Sequence, residues 1–129
     1  MSRKVYKDVK VHKWYTAASK TETENGVGIN VQNYEIATFF LKVTDWVTLT
    51  SLDVKFQTQD PNTDDWSDLD IAFAQLTDAG AEMINSIKVD VTTDKAYAHA
   101  IPLGQKIRPV ITIVGSGSAK VNLSMIAKS

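Results

Sequence analysis

LDVKFQTQDPNTDDWSDLDIAF, residues 52–73, holds two alternating apolar runs on either side of a turn-forming centre. Leu52, Val54 and Phe56 alternate with Asp53, Lys55 and Gln57, the period-two pattern of a half-buried strand. Trp66 opens a second run in which Leu69, Ile71 and Phe73 alternate with Asp68, Asp70 and Ala72. Between them, Asp60-Pro61-Asn62 marks a turn: Pro61 fixes one backbone angle and the short polar side chains hydrogen-bond the local backbone. A polar-out, apolar-in hairpin is a structural device, and this one does not resemble a catalytic loop.

The same grammar runs outward in both directions. Val5, Val9, Val11 and Tyr15 alternate with lysines in a first extended segment, and Thr21–Gly28 reads as a polar loop followed by a short strand through Val27, Ile29 and Val31. Ile36–Val43 is β-branched and aromatic on both faces, which predicts a central strand. Leu76–Met83 fits either one helical turn or a loop, and Ile84–Val91, Lys95–Ile101, Lys106–Val114 and Lys120–Ala127 complete the set of strands. Thr93-Asp94, Pro102-Leu103-Gly104 and Gly115-Ser116-Gly117-Ser118 separate these runs, and the last predicts a hairpin between two strong strands. About eight or nine strands with no sustained helical period predict an all-β, single-domain antiparallel β-sandwich, jelly-roll-like. The expected core is Leu41, Leu52, Val54, Phe56, Leu69, Ile71, Ile111, Ile113 and Leu123.

At 129 residues the chain can bury a core without a metal or disulfide. Its formal net charge of −1 gives no global electrostatic case for binding nucleic acid. The lack of cysteine excludes a disulfide framework, thiol catalysis and a cysteine-based zinc site. No apolar run approaches the ~20 residues that span a bilayer, and MSRKVYKDVKVHKWY lacks the apolar centre of a secretion signal, so synthesis in the cytoplasm is expected.

Charge is segregated along the chain. Arg3, Lys4, Lys7, Lys10 and Lys13 crowd the first residues, while Asp53, Asp60, Asp64, Asp65, Asp68 and Asp70 crowd the central hairpin. Residues 1–15 are therefore expected to form a basic N-terminal arm or edge strand and residues 16–129 the sandwich. Solvated surface is the simplest reading of such runs. The sharper expectation is that residues 1–13 leave the sandwich and dock on a neighbour, with Lys7 and Lys10 near acidic side chains there.

Motifs that would carry chemistry fail on inspection. Asp60, Asn62 and Asp64 have the opening spacing of an EF-hand calcium loop, but Asp65 stands where glycine is needed and Ile71 where the bidentate glutamate belongs. A looser calcium site from the same oxygens is the alternative. His12 and His99 are far apart in sequence with no serine in a nucleophile-elbow context, and the Gly26/Gly28 and Gly115/Gly117 pairs are not followed by the Lys-Ser or Lys-Thr of a phosphate loop. The reading is a protein that is not an enzyme, with no cofactor and no metal. Trp14, Tyr15, Trp46, Trp66 and Tyr97 could form a sugar-stacking platform, but large amphipathic aromatics are more often interface residues. Lys7, Lys10, Trp14, Tyr15 and Trp46 are the candidate interface residues.

The order of features resembles a group of small virion proteins of tailed phages and prophages, β-sandwiches associated with the head or its surface. The resemblance runs from Thr16-Ala17-Ala18-Ser19 through the polar loop ending at Gly28, and on to Tyr34-Glu35-Ile36-Ala37-Thr38-Phe39-Phe40-Leu41. It continues through LDVKFQTQDPNTDDWSDL and Phe73-Ala74-Gln75-Leu76-Thr77, and closes with Lys106-Ile107-Arg108-Pro109-Val110 and the Gly-Ser stretch, covering about Thr16–Ala127. The chain departs from the group's pattern in Asp60-Pro61-Asn62, where a glycine-containing turn is common, and in its longer basic N-terminal extension. The resemblance implies a capsid decoration or head-associated structural protein, located in the virion and bound to other virion proteins, the major capsid protein first. It further implies a homo-oligomer, a trimer by analogy, with neither nucleic acid nor membrane as partner and no catalytic residues carried over. The alternative function is a carbohydrate- or receptor-binding module of a head or tail fibre.

Overall fold

The computed structural model describes residues 8–31, 34, 36–88 and 106–128. Among these residues the chain is all-β, one antiparallel sheet of seven strands: β1 (Val9–Lys20), β2 (Glu24–Asn25), β3 (Ile29–Asn30), β4 (Ile36–Gln59), β5 (Trp66–Ala72), β6 (Gly80–Lys88) and β7 (Lys106–Lys128). β4 and β7 pair along most of their length, from Ile36↔Lys128 to Thr58↔Ile107. β1, β2 and β3 line the outer side of β7, and β6 and β5 line the outer side of β4.

This long ribbon cannot be straight. Phe39 and Phe56 lie seventeen positions apart on β4, which in an extended strand would separate them by about 55 Å. Their ring centroids are 4.3 Å apart. The ribbon therefore folds over, and the corner can be located. Pairing of β4 with β7 shifts register between Thr44 and Val47, Val47 and Leu49, and Leu49 and Ser51. Asp45 (φ 52°), Thr48 (φ 51°) and Gly115 (φ 112°) have left-handed backbones there. At Gly117 a Cβ would lie 1.5 Å from the Val47 carbonyl oxygen, so the two backbones approach more closely than any side chain permits.

The fold-over makes two layers from one sheet. Layer A comprises β1, the C-terminal half of β7, the N-terminal half of β4, and β6. Layer B comprises β2 and β3, the N-terminal half of β7, the C-terminal half of β4, and β5. Between them lie Phe39, Leu41 and Val43 from one half of β4, Leu52, Val54 and Phe56 from the other, and Ile107, Ile111, Val121, Leu123 and Met125 from β7. Burial of alternate residues on facing surfaces is the main favourable term in such a fold.

Of the expected core, Leu41, Leu52, Val54, Phe56, Ile71, Ile111 and Leu123 are buried, while Leu69 and Ile113 are half-buried against it. The hairpin stands as read. Asp60 N–H donates to the Asp65 carbonyl (2.8 Å) and Asp64 N–H to the Asp60 carbonyl (2.9 Å). The Asp60 carboxylate accepts from Asn62 N–H at 2.8 Å.

Four expectations need correction. Gly115–Ser118 is not a hairpin: it lies inside β7, with Gly115 opposite Leu49 and Ser118 opposite Val47. Runs read as separate strands, Ile36–Val43 with Leu52–Thr58 and Lys106–Val114 with Lys120–Ala127, are halves of β4 and β7, which is why the described strands number seven rather than eight or nine. Two separate sheets are thus replaced by one folded sheet. Finally, residues 9–13 of the basic arm do not leave the domain, because Val9–Lys13 pairs with Ser124–Lys128 as an edge strand. Residues 1–7, Lys95–Ile101 and the turns at Thr93-Asp94 and Pro102–Gly104 lie outside the described residues.

Candidate interaction surface

The fold gives the chain two outward sheet faces with different chemistry. On layer B many of the outward side chains are polar and bonded to one another, with Val114, 49% exposed, near the corner. Lys55 Nζ donates to Asp68 Oδ2 (3.0 Å), Gln57 Nε2 to Asp68 Oδ1 (2.9 Å), Arg108 Nε to Gln57 Oε1 (2.9 Å), and Gln75 Nε2 to Asp53 Oδ2 (3.0 Å). The hydrogen bond from Gln57, then that from Lys55 and its charge, hold the Asp68 carboxyl below its ordinary range. Arg108 also stacks 4.2 Å over the Trp66 ring. These groups are satisfied within the chain.

Layer A presents the opposite character. Inward burial of Ala37, Phe39 and Leu41 on β4, and of Leu123, Met125 and Ala127 on β7, turns their neighbours outward. Three rows then cross β1, β7 and β4: Val9, Lys128 and Ile36; Val11, Ile126 and Thr38; Lys13, Ser124 and Phe40. Val9 and Val11 are each 58% exposed. Two shallow hollows flank Phe40, one of about 320 Å³ bounded by Lys42, Glu82, Asn122 and Ser124, the other of about 220 Å³ bounded by Ile36, Thr38, Ile126 and Lys128. The result is a mixed face whose apolar centre is Val11, Ile126, Ile36 and Phe40, with Lys13, Lys42, Lys128 and Glu82 around it.

β1 does not bury its valine face. Its valines face water while Lys10 and His12 turn toward the inner side. Trp14 explains this. Its indole packs against Phe39 (6.3 Å between centroids) and Phe56 (5.9 Å), and Nε1 donates to the Val27 carbonyl at 2.8 Å. Burying an indole outweighs burying two edge valines. A bulge between Lys13 and Tyr15 brings Tyr15 inward as well.

The candidate interface residues are thus scattered. Trp14, Tyr15 and Trp46 pack on the chain's own core, Trp46 with Nε1 donating to the Leu49 carbonyl (3.1 Å), and Lys10 donates to the Asn30 carbonyl at 3.4 Å. Lys7 lies outside the described residues. Of the aromatics read as a possible sugar platform, Trp14 and Trp46 pack on the core, Trp66 lies under Arg108, and Tyr97 is outside the described residues. The outward apolar residues of layer A, Val11, Phe40 and Ile126, are not among the candidates read from the sequence, and only Phe40 falls in the run Ile36–Val43, apolar on both faces.

A further cleft of about 390 Å³ lies between β1 and residues 24–27, lined by His12, Trp14, Tyr15, Lys20 and Glu24. Three of its polar side chains, Tyr15, Lys20 and Glu24, engage one another. Lys20 pairs with Glu24 and sits 4.2 Å over the Tyr15 ring. Burial, then the hydrogen bond to Glu24 and its charge, raise the Tyr15 hydroxyl far above its ordinary value. Burial pushes Glu24 upward, but hydrogen bonds from Lys20 and Tyr15 and the lysine charge outweigh it and leave the carboxyl lowered. Burial and the neighbouring Lys10 lower His12. A phenol held this firmly protonated is a poor base near neutral pH. Among the described residues no group of three or more His, Asp or Glu side chains is placed to hold a metal ion.

No family model matches the chain, and no curated protein matches it in sequence. Among solved structures, it is similar to the SPBc2 prophage-derived protein YomS. The identity is 15% and the TM-score 0.45, with 100% of this chain and 99% of that one covered. It is also similar to the structure of infectious bursal disease virus, Gx strain, at 14% identity and a TM-score of 0.47, covering 95% of this chain and 33% of that one. At these values neither likeness carries an argument about what this chain does.

Proposed function

We propose that this chain is a non-enzymatic structural protein of a virion, a capsid decoration or head-associated protein that attaches to a particle through the outward face of layer A. The observation that carries this reading is the contrast between the two faces: many polar groups of layer B are bonded to each other, while layer A exposes Val9 and Val11 and half-exposes Phe40 and Ile126 beside cations. An exposed apolar patch bounded by charge is the signature of a contact surface. The resemblance of the sequence to small phage virion proteins points the same way. The partners on this reading are the major capsid protein and further copies of the chain.

Size sets the mode of action. Three rows across three strands cover about 300 Å², taken from the residue and strand spacings of a sheet. A stable pairwise interface buries about 800 Å² per partner. A single contact here is therefore weak, and attachment depends on many such contacts repeated over a symmetric lattice.

The test is co-fractionation of a tagged chain with purified particles on a density gradient. The wild-type chain is expected in the particle band. Ile126→Glu, on the outward face and with an unchanged melting temperature, is expected to leave it. Equal recovery of the two proteins in the band would overturn the choice of face, and a wild-type chain that never enters the band would overturn the virion reading.

A further inference from the structure

We infer that the layer-A face receives the acidic hairpin tip of a second copy of this chain, in a head-to-tail contact. The inference rests on the reading of that face as a contact surface and adds its occupant. Lys13 and Lys42 are exposed at the margin of the face and have no ion-pair partner among the described residues. The tip, residues 60–65, exposes Asp60, Asp64 and Asp65 around Pro61. Among the described residues these acids form no ion pair, unlike Asp68 lower on the same hairpin.

The geometry excludes the simpler alternatives. The tip extends from layer B, and the face points away from layer B, so a chain cannot dock its own tip. A two-fold contact of face on face would gather Lys13 and Lys42 of both copies at one interface, and that doubling of positive charge disfavours pairing. Strand addition along the open edge of β1 is obstructed by its register shifts at Lys13/Tyr15 and Tyr15/Ala18 and by the left-handed Ala17 (φ 47°). The tip, by contrast, is small enough for a footprint of about 300 Å². It is also already ordered by the Asp60–Asp65 and Asp60–Asp64 backbone bonds, so docking costs little loop entropy. A contact of this kind joins different surfaces on the two copies, and it closes into a ring or grows into a filament.

Two variants, each crippled on one side, give the test. Lys13→Glu with Lys42→Glu reverses the face and leaves the tip. Asp64→Asn with Asp65→Asn neutralises the tip and leaves the face, and asparagine tolerates the left-handed backbone of position 64 (φ 63°). Asp60 is kept because its carboxylate holds the turn. By sedimentation velocity at low salt, the wild type should associate with rising concentration, about tenfold more weakly at 0.5 M salt than at 0.05 M. Each variant alone should remain a monomer, and an equimolar mixture, taken to about millimolar concentration because so small a footprint binds weakly, should form one-to-one dimers that grow no further. Should the reversals unfold the chain, Lys13→Gln with Lys42→Gln replaces them. A wild type that stays monomeric, a mixture without dimers, or variants that assemble like the wild type would overturn the inference. Retention of the wild type in the particle band would then leave the virion reading standing, whereas loss of both would remove both.

Discussion

Phe56→Ala is the substitution that bears most heavily on the folded sheet. Phe56 is fully buried (0% exposed) and its ring meets Phe39 at 4.3 Å, Trp14 at 5.9 Å and Phe73 at 6.1 Å. It therefore touches both layers and the edge strand. Removing such a ring costs about 3–5 kcal/mol, transfer free energy plus the cavity left behind. A domain of this size has about 5–15 kcal/mol in total, so the variant should fold but melt early. With a urea slope of about 2 kcal/mol/M, its midpoint should fall by about 2 M. A cycle with Phe39→Leu adds the discriminating term. Residues seventeen positions apart on a straight strand would be additive, whereas rings in contact should couple by about 0.5–1.5 kcal/mol. Urea unfolding followed by tryptophan fluorescence and by circular dichroism measures both quantities. A loss below about 1.5 kcal/mol for Phe56→Ala, or additivity in the cycle, would refute the placement of Phe39 against Phe56. Val27→Ala is the control: at 73% exposure it should change stability by less than about 0.5 kcal/mol.

Other outcomes follow from the corner and from the cleft. Gly115→Ala puts a Cβ 2.7 Å from the Thr50 nitrogen on a backbone with φ 112°, and should cost more than about 1 kcal/mol in the same urea assay. Glu24 and Asp68 are lowered from 4.5 and 3.8, so the stability they contribute is complete above those values and is lost as pH falls below them. Glu24→Gln should flatten that acid limb in a series of melts. Tyr15 is raised from 10.0, so its contribution is complete below pH 10 and is lost as pH rises beyond it, a limb that Tyr15→Phe should flatten.

The parts of this fold that were legible in the sequence are those governed by local rules. The 52–73 hairpin was readable because alternation fixes which face is buried and Asp60-Pro61-Asn62 fixes where the chain turns. The corner was not readable, because Gly115-Ser116-Gly117-Ser118 has the composition of a hairpin turn and its partner in the corner, Asp45–Leu49, is remote in sequence. A bend shared by two paired strands uses the same left-handed and glycine positions as a turn that separates them. β1 misleads for another reason. Val5, Val9 and Val11 set a pattern that Trp14 overrules, since plain alternation sets the indole on the face of Lys10 and His12, against Phe39 and Phe56, and leaves Val9 and Val11 outside. The layer-A face was visible only as a run apolar on both sides, Ile36–Val43, which fits a strand covered on both faces as well as one that keeps a face for a partner.

Side-chain footprinting of the assembled protein against the dispersed one addresses the central claim most directly. Hydroxyl-radical labelling read by mass spectrometry should show Val11, Phe40 and Ile126 losing most of their reactivity on assembly, while Gln57 and Arg108 on layer B keep theirs. Unchanged labelling of Phe40 and Ile126 in the assembled protein would contradict the assignment of layer A as its contact surface.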